Sequence, residues 1–182
     1  MIQRLVLAAF SALVLSLPPA AALAEDNIIH EIRGGVLAHD VLIVSRSPVE
    51  SGSVSLNGEI AFGPSFGVLG GKIRPVIGGS IATNSGTSLF YIDARIEWQL
   101  DRVFFALGLG PAIHTGNLER RTFDNQRKAL GSRILFHPSA EVGFQVTPDN
   151  RISVYYEHVS NAYLARPNPG LDNIGVRLAH RF

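Results

Sequence analysis

The sequence predicts an all-β fold: an eight-stranded antiparallel transmembrane β-barrel that follows a cleaved signal peptide. Two observations lead to it. Period-two alternation recurs between turn signals after about residue 25, and no segment there holds a 3.6-residue period. The alternating segments run to about ten residues or more, the length a tilted strand needs to cross a hydrocarbon core.

The elements follow in chain order. Arg4 sits in a short basic region, "LVLAAFSALVLSL" is an apolar core, and Ala22-Leu23-Ala24 is a small-x-small cleavage site before Glu25. The apolar run is shorter than the roughly 20 residues of a spanning helix, and Pro18-Pro19 breaks it. Residues 1–24 therefore read as a signal peptide and 25–182 as one barrel domain. Strands are expected near 30–42, 53–63, 72–83, 88–100, 103–115, 132–147, 150–161 and 173–182. The clearest is "FYIDARIEWQL". Phe90, Ile92, Ala94, Ile96, Trp98 and Leu100 share one face, and Tyr91, Asp93, Arg95, Glu97 and Gln99 share the other. Across the strands the polar face carries Glu31, Glu59, Asp93, Glu97, Glu141 and Glu157 against Arg33, Arg74, Arg95, Arg151, Arg177 and Arg181, so its charges can balance.

Alternation alone does not say which face is inside, because a soluble barrel buries the apolar one and a membrane barrel the polar one. Export without a single cysteine favours the membrane, and so does the last segment, "NIGVRLAHRF". That segment alternates to a terminal Phe182 and resembles the closing strand of bacterial outer-membrane barrels. Asp101-Arg102 and "TPDN" are short enough for periplasmic turns, whereas "GPSFGVLGG" is longer than such turns usually are. "GNLERRTFDNQRKALGS" is the longest and most basic connection on the other side. Its Arg120, Arg121, Arg127 and Lys128 are candidates to meet phosphate groups of outer-membrane lipids.

The formal charge of +1 offers no large field for nucleic acid. The six histidines form no tight ligand spacing, so no metal site is expected. One polar cluster remains, in "YYEHVSNAYLARPNPGLD", Tyr155 to Asp172. His158 and Ser160 share parity with Ile152 and Val154 and so project from the lipid-facing wall at the outer end of the seventh strand. Asp172 has the outward parity of Ile174 and Val176 in the eighth, where cross-strand partners have Cβ atoms roughly 4.5–5.5 Å apart. Histidine between a hydroxyl and a carboxylate is the arrangement that makes a serine nucleophilic.

"HVSNA" at His158 to Ala162, "NPG" at Asn168 to Gly170 and the acid at Asp172 resemble the signature of the PagL-type lipid A 3-O-deacylases. The resemblance covers the whole mature chain in architecture and the last two strands in motif. It implies Ser160 as nucleophile, His158 as general base, Asp172 as orienting acid in place of that family's glutamate, and Asn161 and Asn168 as oxyanion-hole or supporting residues. It further implies lipid A or lipopolysaccharide as substrate, the outer membrane as location, and no cofactor. Two alternatives stand beside this expectation: a non-catalytic structural or adhesive barrel, and a phospholipase or general lipid esterase on the same scaffold.

Overall fold

The computed structural model describes residues 22–23, 27–47, 50, 52–120 and 127–182 of the 182-residue chain. The expected signal peptide lies outside these residues except for Ala22–Leu23, which pairs with Ser65 and Phe66. Eight antiparallel strands make the wall. They are β1 (Ile29–Ala38), β2 (Val54–Phe62), β3 (Gly71–Ala82) and β4 (Leu89–Leu100), then β5 (Val103–Leu109, resuming as Pro111–His114), β6 (Ile134–Phe136, resuming as Ser139–Gln145), β7 (Asn150–Val159) and β8 (Leu171–Arg181). Each pairs with its sequence neighbour, and β8 returns to pair with β1 from Ile174↔Ala38 to Arg181↔Glu31. The ladder is thus closed and has no free edge.

The two faces are inverted relative to a water-soluble barrel. Outward positions hold Ile92, Leu107, Val154 and Leu178, of which Leu178 is 64% exposed. Arg33, Glu59, Arg95, Glu141, Arg151 and Arg177 are buried in the lumen. Hydrocarbon outside and paired charge inside is the arrangement that a lipid solvent favours. The lumen is a continuous ion-pair network. Arg177 donates to both oxygens of Glu141, to Glu59 at 3.3 Å and to Asn57 at 3.1 Å, and its guanidinium stacks on Tyr155 at 3.7 Å. Glu59 also receives Arg33 and Arg95. Higher up, His137 bridges Asp93 and Glu157 and stacks on Tyr91 with ring centroids 4.0 Å apart.

Turn lengths give the barrel two unlike ends. Asp101-Arg102 and residues 146–149 close tightly at the end that carries both strand termini. "GPSFGVLGG" is compact despite its length, because Ser65–Val68 pairs back onto Gly71, Lys72 and Ile73. Leu69 and Gly70 turn at positive φ, 50° and 76°, which suits a two-residue hairpin whose second position is glycine. β1 ends at Ala38 and not near residue 42, because residues 41–45 leave the wall to fold over the start of β8.

Removing one member of a buried, hydrogen-bonded ion network leaves uncompensated charge and costs about 3–5 kcal/mol. Arg177→Met should therefore lower the urea midpoint of the folded barrel markedly. Val176→Ala, which trims a lipid-facing side chain, should move it far less. Equal midpoints for the two variants would show that the luminal network does not hold the barrel.

Candidate active site

β7 and β8 carry the polar cluster to the long-loop end. Their register sets His158 directly opposite Asp172 and Tyr156 opposite Ile174. Both positions have the outward parity that the alternation predicts, and His158 Nδ1 donates to Asp172 Oδ1 at 2.5 Å. The Tyr156 hydroxyl donates to the same oxygen at 3.0 Å. Asp172 is nevertheless fully buried although it sits on an outward position. The cover is the loop after β1, whose Ile43, Val44 and Ser45 backbone N–H groups donate to Asp172 Oδ2 at 3.0, 2.6 and 2.7 Å. One carboxylate oxygen thus faces the imidazole and phenol, and the other lies in a backbone amide nest. Such a cradle fixes the orientation of the carboxylate.

Ser160 follows His158 on the same wall. Its backbone exchanges two hydrogen bonds with Phe136, at 2.8 and 3.2 Å, so the residue remains fastened to β6 one step past the end of β7. Its hydroxyl has no hydrogen bond to His158 among the described residues, and His158 Nε2 is the ring nitrogen that Asp172 leaves open. The chain then bends sharply. Ala162 and Tyr163 both take positive φ, 51° and 62°, and Leu164 N–H returns to the Asn161 carbonyl at 2.9 Å. Positive φ at consecutive non-glycine residues is strained backbone held by its surroundings.

The two asparagines separate by role. Asn161 is buried, and its Nδ2 donates to the Leu130 and Pro167 carbonyls at 2.9 and 3.1 Å, so its amide ties loops together and is not open to a ligand. Asn168 Oδ1 accepts the Asn161 backbone N–H at 3.0 Å, which leaves the Asn168 amide nitrogen as the available donor beside the bend. Gly170 supplies space: it has φ +69°, and a Cβ there would lie 2.8 Å from His158 Cε1.

The basic loop is placed differently from the sequence expectation. Lys128 is buried, with its ammonium on Asp40 Oδ1 and on the Gly170 carbonyl at 2.8 Å, so it does not face lipid phosphate. Arg127 binds the Ser85 and Thr115 carbonyls at 2.7 and 3.1 Å, Arg120 is exposed, and Arg121 lies outside the described residues. A second serine, histidine and acid set also exists. His39 Nδ1 contacts Ser55 Oγ at 2.9 Å, and His39 Nε2 contacts Glu50 Oε2 at 2.8 Å. Ser55 is 0% and His39 1% exposed, which seals this set away from any lipid and leaves it a structural knot. The other Glu50 oxygen accepts Thr87 Oγ1 at 2.7 Å and the Lys128 backbone N–H.

Burial pushes the Glu50 carboxyl up, but hydrogen bonds from His39, Thr87 and Lys128 outweigh it and hold the group below its ordinary 4.5. A depressed folded value means that the associated stability is present above the unfolded value and lost as pH falls through the folded one. Acidification below about pH 4 should loosen the loops at this end, and Glu50→Gln should show a weaker acid dependence than the unsubstituted protein. Limited proteolysis of the loops across pH 3 to 7 checks this. Identical pH profiles would remove Glu50 as the acid-sensitive group.

The sequence model of a family described as lipid A 3-O-deacylase (PagL) matches residues 26–181. The lipid A deacylase PagL of Bordetella bronchiseptica (strain ATCC BAA-588 / NCTC 13252 / RB50) is 33% identical over 85 residues, which span 47% of this chain and 44% of that relative. The chain thus aligns with less than half the length of this relative. The crystal structure of the outer membrane enzyme PagL superposes with a TM-score of 0.60 at 17% identity, covering 84% of this chain and 99% of that one. A de novo designed transmembrane β-barrel gives 0.54 at 10% identity, covering 88% and 100%. At these identities the two structures speak for the fold, an eight-stranded barrel, and the match over residues 26–181 speaks for the family. This chain belongs to the lipid A 3-O-deacylase (PagL) family.

Proposed function

We propose that the protein is an outer-membrane serine esterase that hydrolyses the 3-O-linked acyl ester of lipid A, with Ser160 as nucleophile, His158 as general base and Asp172 as orienting acid. The observation that carries this reading is the His158–Asp172 contact on the lipid-facing wall at the long-loop end. A hydrolase with its histidine on the outer wall reaches an ester of a neighbouring lipid laterally, without extracting the lipid from the bilayer.

The chemistry follows from the positions. Asp172 accepts a hydrogen bond from Nδ1–H and so fixes the tautomer in which the imidazole presents an unprotonated Nε2. Nε2 removes the Ser160 proton as Oγ attacks the ester carbonyl, and Asp172 stabilises the imidazolium that forms. Charge develops on the carbonyl oxygen, where the free amide of Asn168 is the candidate donor. The imidazolium then protonates the departing sugar oxygen, which leaves as the free hydroxyl, and water, activated by the same imidazole, releases the fatty acid from Ser160. No cofactor enters these steps. Hydrogen bonds between nucleophile and base commonly tighten only when substrate is bound, which accommodates the open Ser160 hydroxyl. Arg120, Arg121 and Arg127 are the remaining candidates for the glucosamine phosphates.

Expression of the full chain in a Gram-negative host, followed by mass spectrometry of its lipid A, tests the proposal. Loss of one hydroxyacyl chain is expected, abolished by Ser160→Ala by on the order of 10³-fold or more. Asp172→Asn should lose roughly 10²–10⁴-fold, because an amide cannot hold the required tautomer. An unaltered lipid A profile with folded protein in the membrane contradicts the proposal.

Gly170→Ala tests the packing of the base. The new methyl meets the imidazole edge, and a displacement approaching 1 Å can cost about 10²-fold in rate. Activity is expected to fall by at least tenfold while the barrel stays folded; an unchanged rate would show that Gly170 does not wall the base.

A further inference from the structure

We infer that Lys128 is a positioning residue for the His158–Asp172 pair, acting from the luminal side through the carbonyl of Gly170. This rests on the catalytic reading of His158, Ser160 and Asp172 given above. The Lys128 side chain is 1% and that of Asp40 0% exposed, and the two form an ion pair beneath the start of β8. The same ammonium donates to the Gly170 carbonyl at 2.8 Å. Gly170 is the residue whose backbone closes against the imidazole, and Asp172 stands two residues further on.

Asp40 is itself fixed from several sides. Its Oδ2 accepts the Glu50 backbone N–H at 2.9 Å, and its own N–H donates to Asn173 Oδ1 at 3.2 Å. The next residue, Val41, donates its N–H to the Asp172 carbonyl at 2.9 Å, and Arg46 N–H reaches the Pro169 carbonyl at 2.7 Å. The loop after β1, the loop that carries Lys128 and the segment Pro169–Asn173 therefore meet at one buried charge pair.

A buried ion pair is a poor device for stability alone, since an apolar pair of similar volume usually holds a structure at least as well. What the ammonium adds is a hydrogen-bond donor aimed at one particular carbonyl. Gly170 has a left-handed backbone and no side chain to restrain it, and it is the last residue before the β7–β8 pairing begins at Leu171, so a donor on its carbonyl fixes this peptide where the ladder stops. With the carbonyl bound to Lys128, Gly170 stays against the ring edge and the His158 Nδ1–H stays on Asp172. Lys128 touches neither substrate nor the reacting atoms; it acts only through Gly170.

The test uses the full chain, folded in detergent micelles, with purified lipid A as substrate. Lys128→Met removes the donor at similar volume, and Asp40→Asn/Lys128→Met removes both charges, so that no uncompensated carboxylate remains to unfold the loops. Both variants should lose at least tenfold in kcat with KM changed by less than twofold. The low-field NMR signal of the His158 Nδ1 proton should broaden or move upfield. A role limited to holding the loops together would leave that signal in place in a folded variant. Folded variants that keep kcat within twofold and the imidazole signal unshifted overturn the inference. In the unsubstituted protein Lys128 should resist reductive methylation until the barrel is unfolded; its modification in the folded state would equally overturn the contact. Ser160→Ala in the same assay separates the two levels: full turnover by that variant defeats the catalytic reading itself, whereas a dead Ser160→Ala beside a fully active Lys128→Met defeats only the role of Lys128.

Discussion

A chain surrounded by hydrocarbon must satisfy every backbone N–H and C=O group from within, and the rest of this structure depends on that constraint. A closed antiparallel ladder is the solution that strands allow, and the pairing of β8 with β1 completes it. The pleat of each strand then sends successive side chains alternately to lipid and lumen. The lumen of an eight-stranded barrel is narrow, so its polar face has to be packed as well as neutralised. Arginines stacked on aromatic rings and shared among several carboxylates do both, as Arg177 does between Glu141, Glu59 and Tyr155.

The same alternation carries His158 and Asp172 to the outside, where a polar group is tolerated only near the head-group interface. Asp172 avoids lipid altogether because the loop after β1 folds over it and supplies three backbone amides. The carboxylate is thereby fixed on one oxygen and free to orient the imidazole with the other. The wall of the barrel provides register, and the loops provide the electrostatics and the limits on movement. Glu50, Asp40 and Lys128 knit those loops together from the inside, so the outward-facing His158–Asp172 pair is backed by a buried network.

Much of this is legible in the residues. Alternation in "FYIDARIEWQL" and its counterparts locates all eight strands to within a few residues, and parity alone puts His158 and Asp172 on one outward face, where the strand register then sets them opposite each other. The amide nest is illegible, because backbone donors leave no mark on a sequence, and residues 41–42 read as the end of a strand when they begin the cover. Lys128 misleads for a related reason. Charge in a basic loop ordinarily marks solvated surface, and only the fold brings Asp40, 88 residues away in sequence, to neutralise it. Tyr156 has the parity of His158, which suits an interfacial aromatic, and nothing local announces that its hydroxyl ends on Asp172. Asn161 and Asn168 are alike in a motif, and only the hydrogen bonds separate the loop tie from the open donor.

The claim on which the proposed chemistry stands is that Ser160 becomes acylated through His158. Incubating the folded barrel with a long-chain alkyl phosphonate ester, which phosphonylates an activated serine, and mapping the adduct by peptide mass spectrometry tests this most directly. A single adduct on Ser160 is predicted, absent from His158→Ala and with the sealed Ser55 untouched. An adduct at another residue, or lipid A deacylation that continues undiminished once Ser160 is fully phosphonylated, would contradict it.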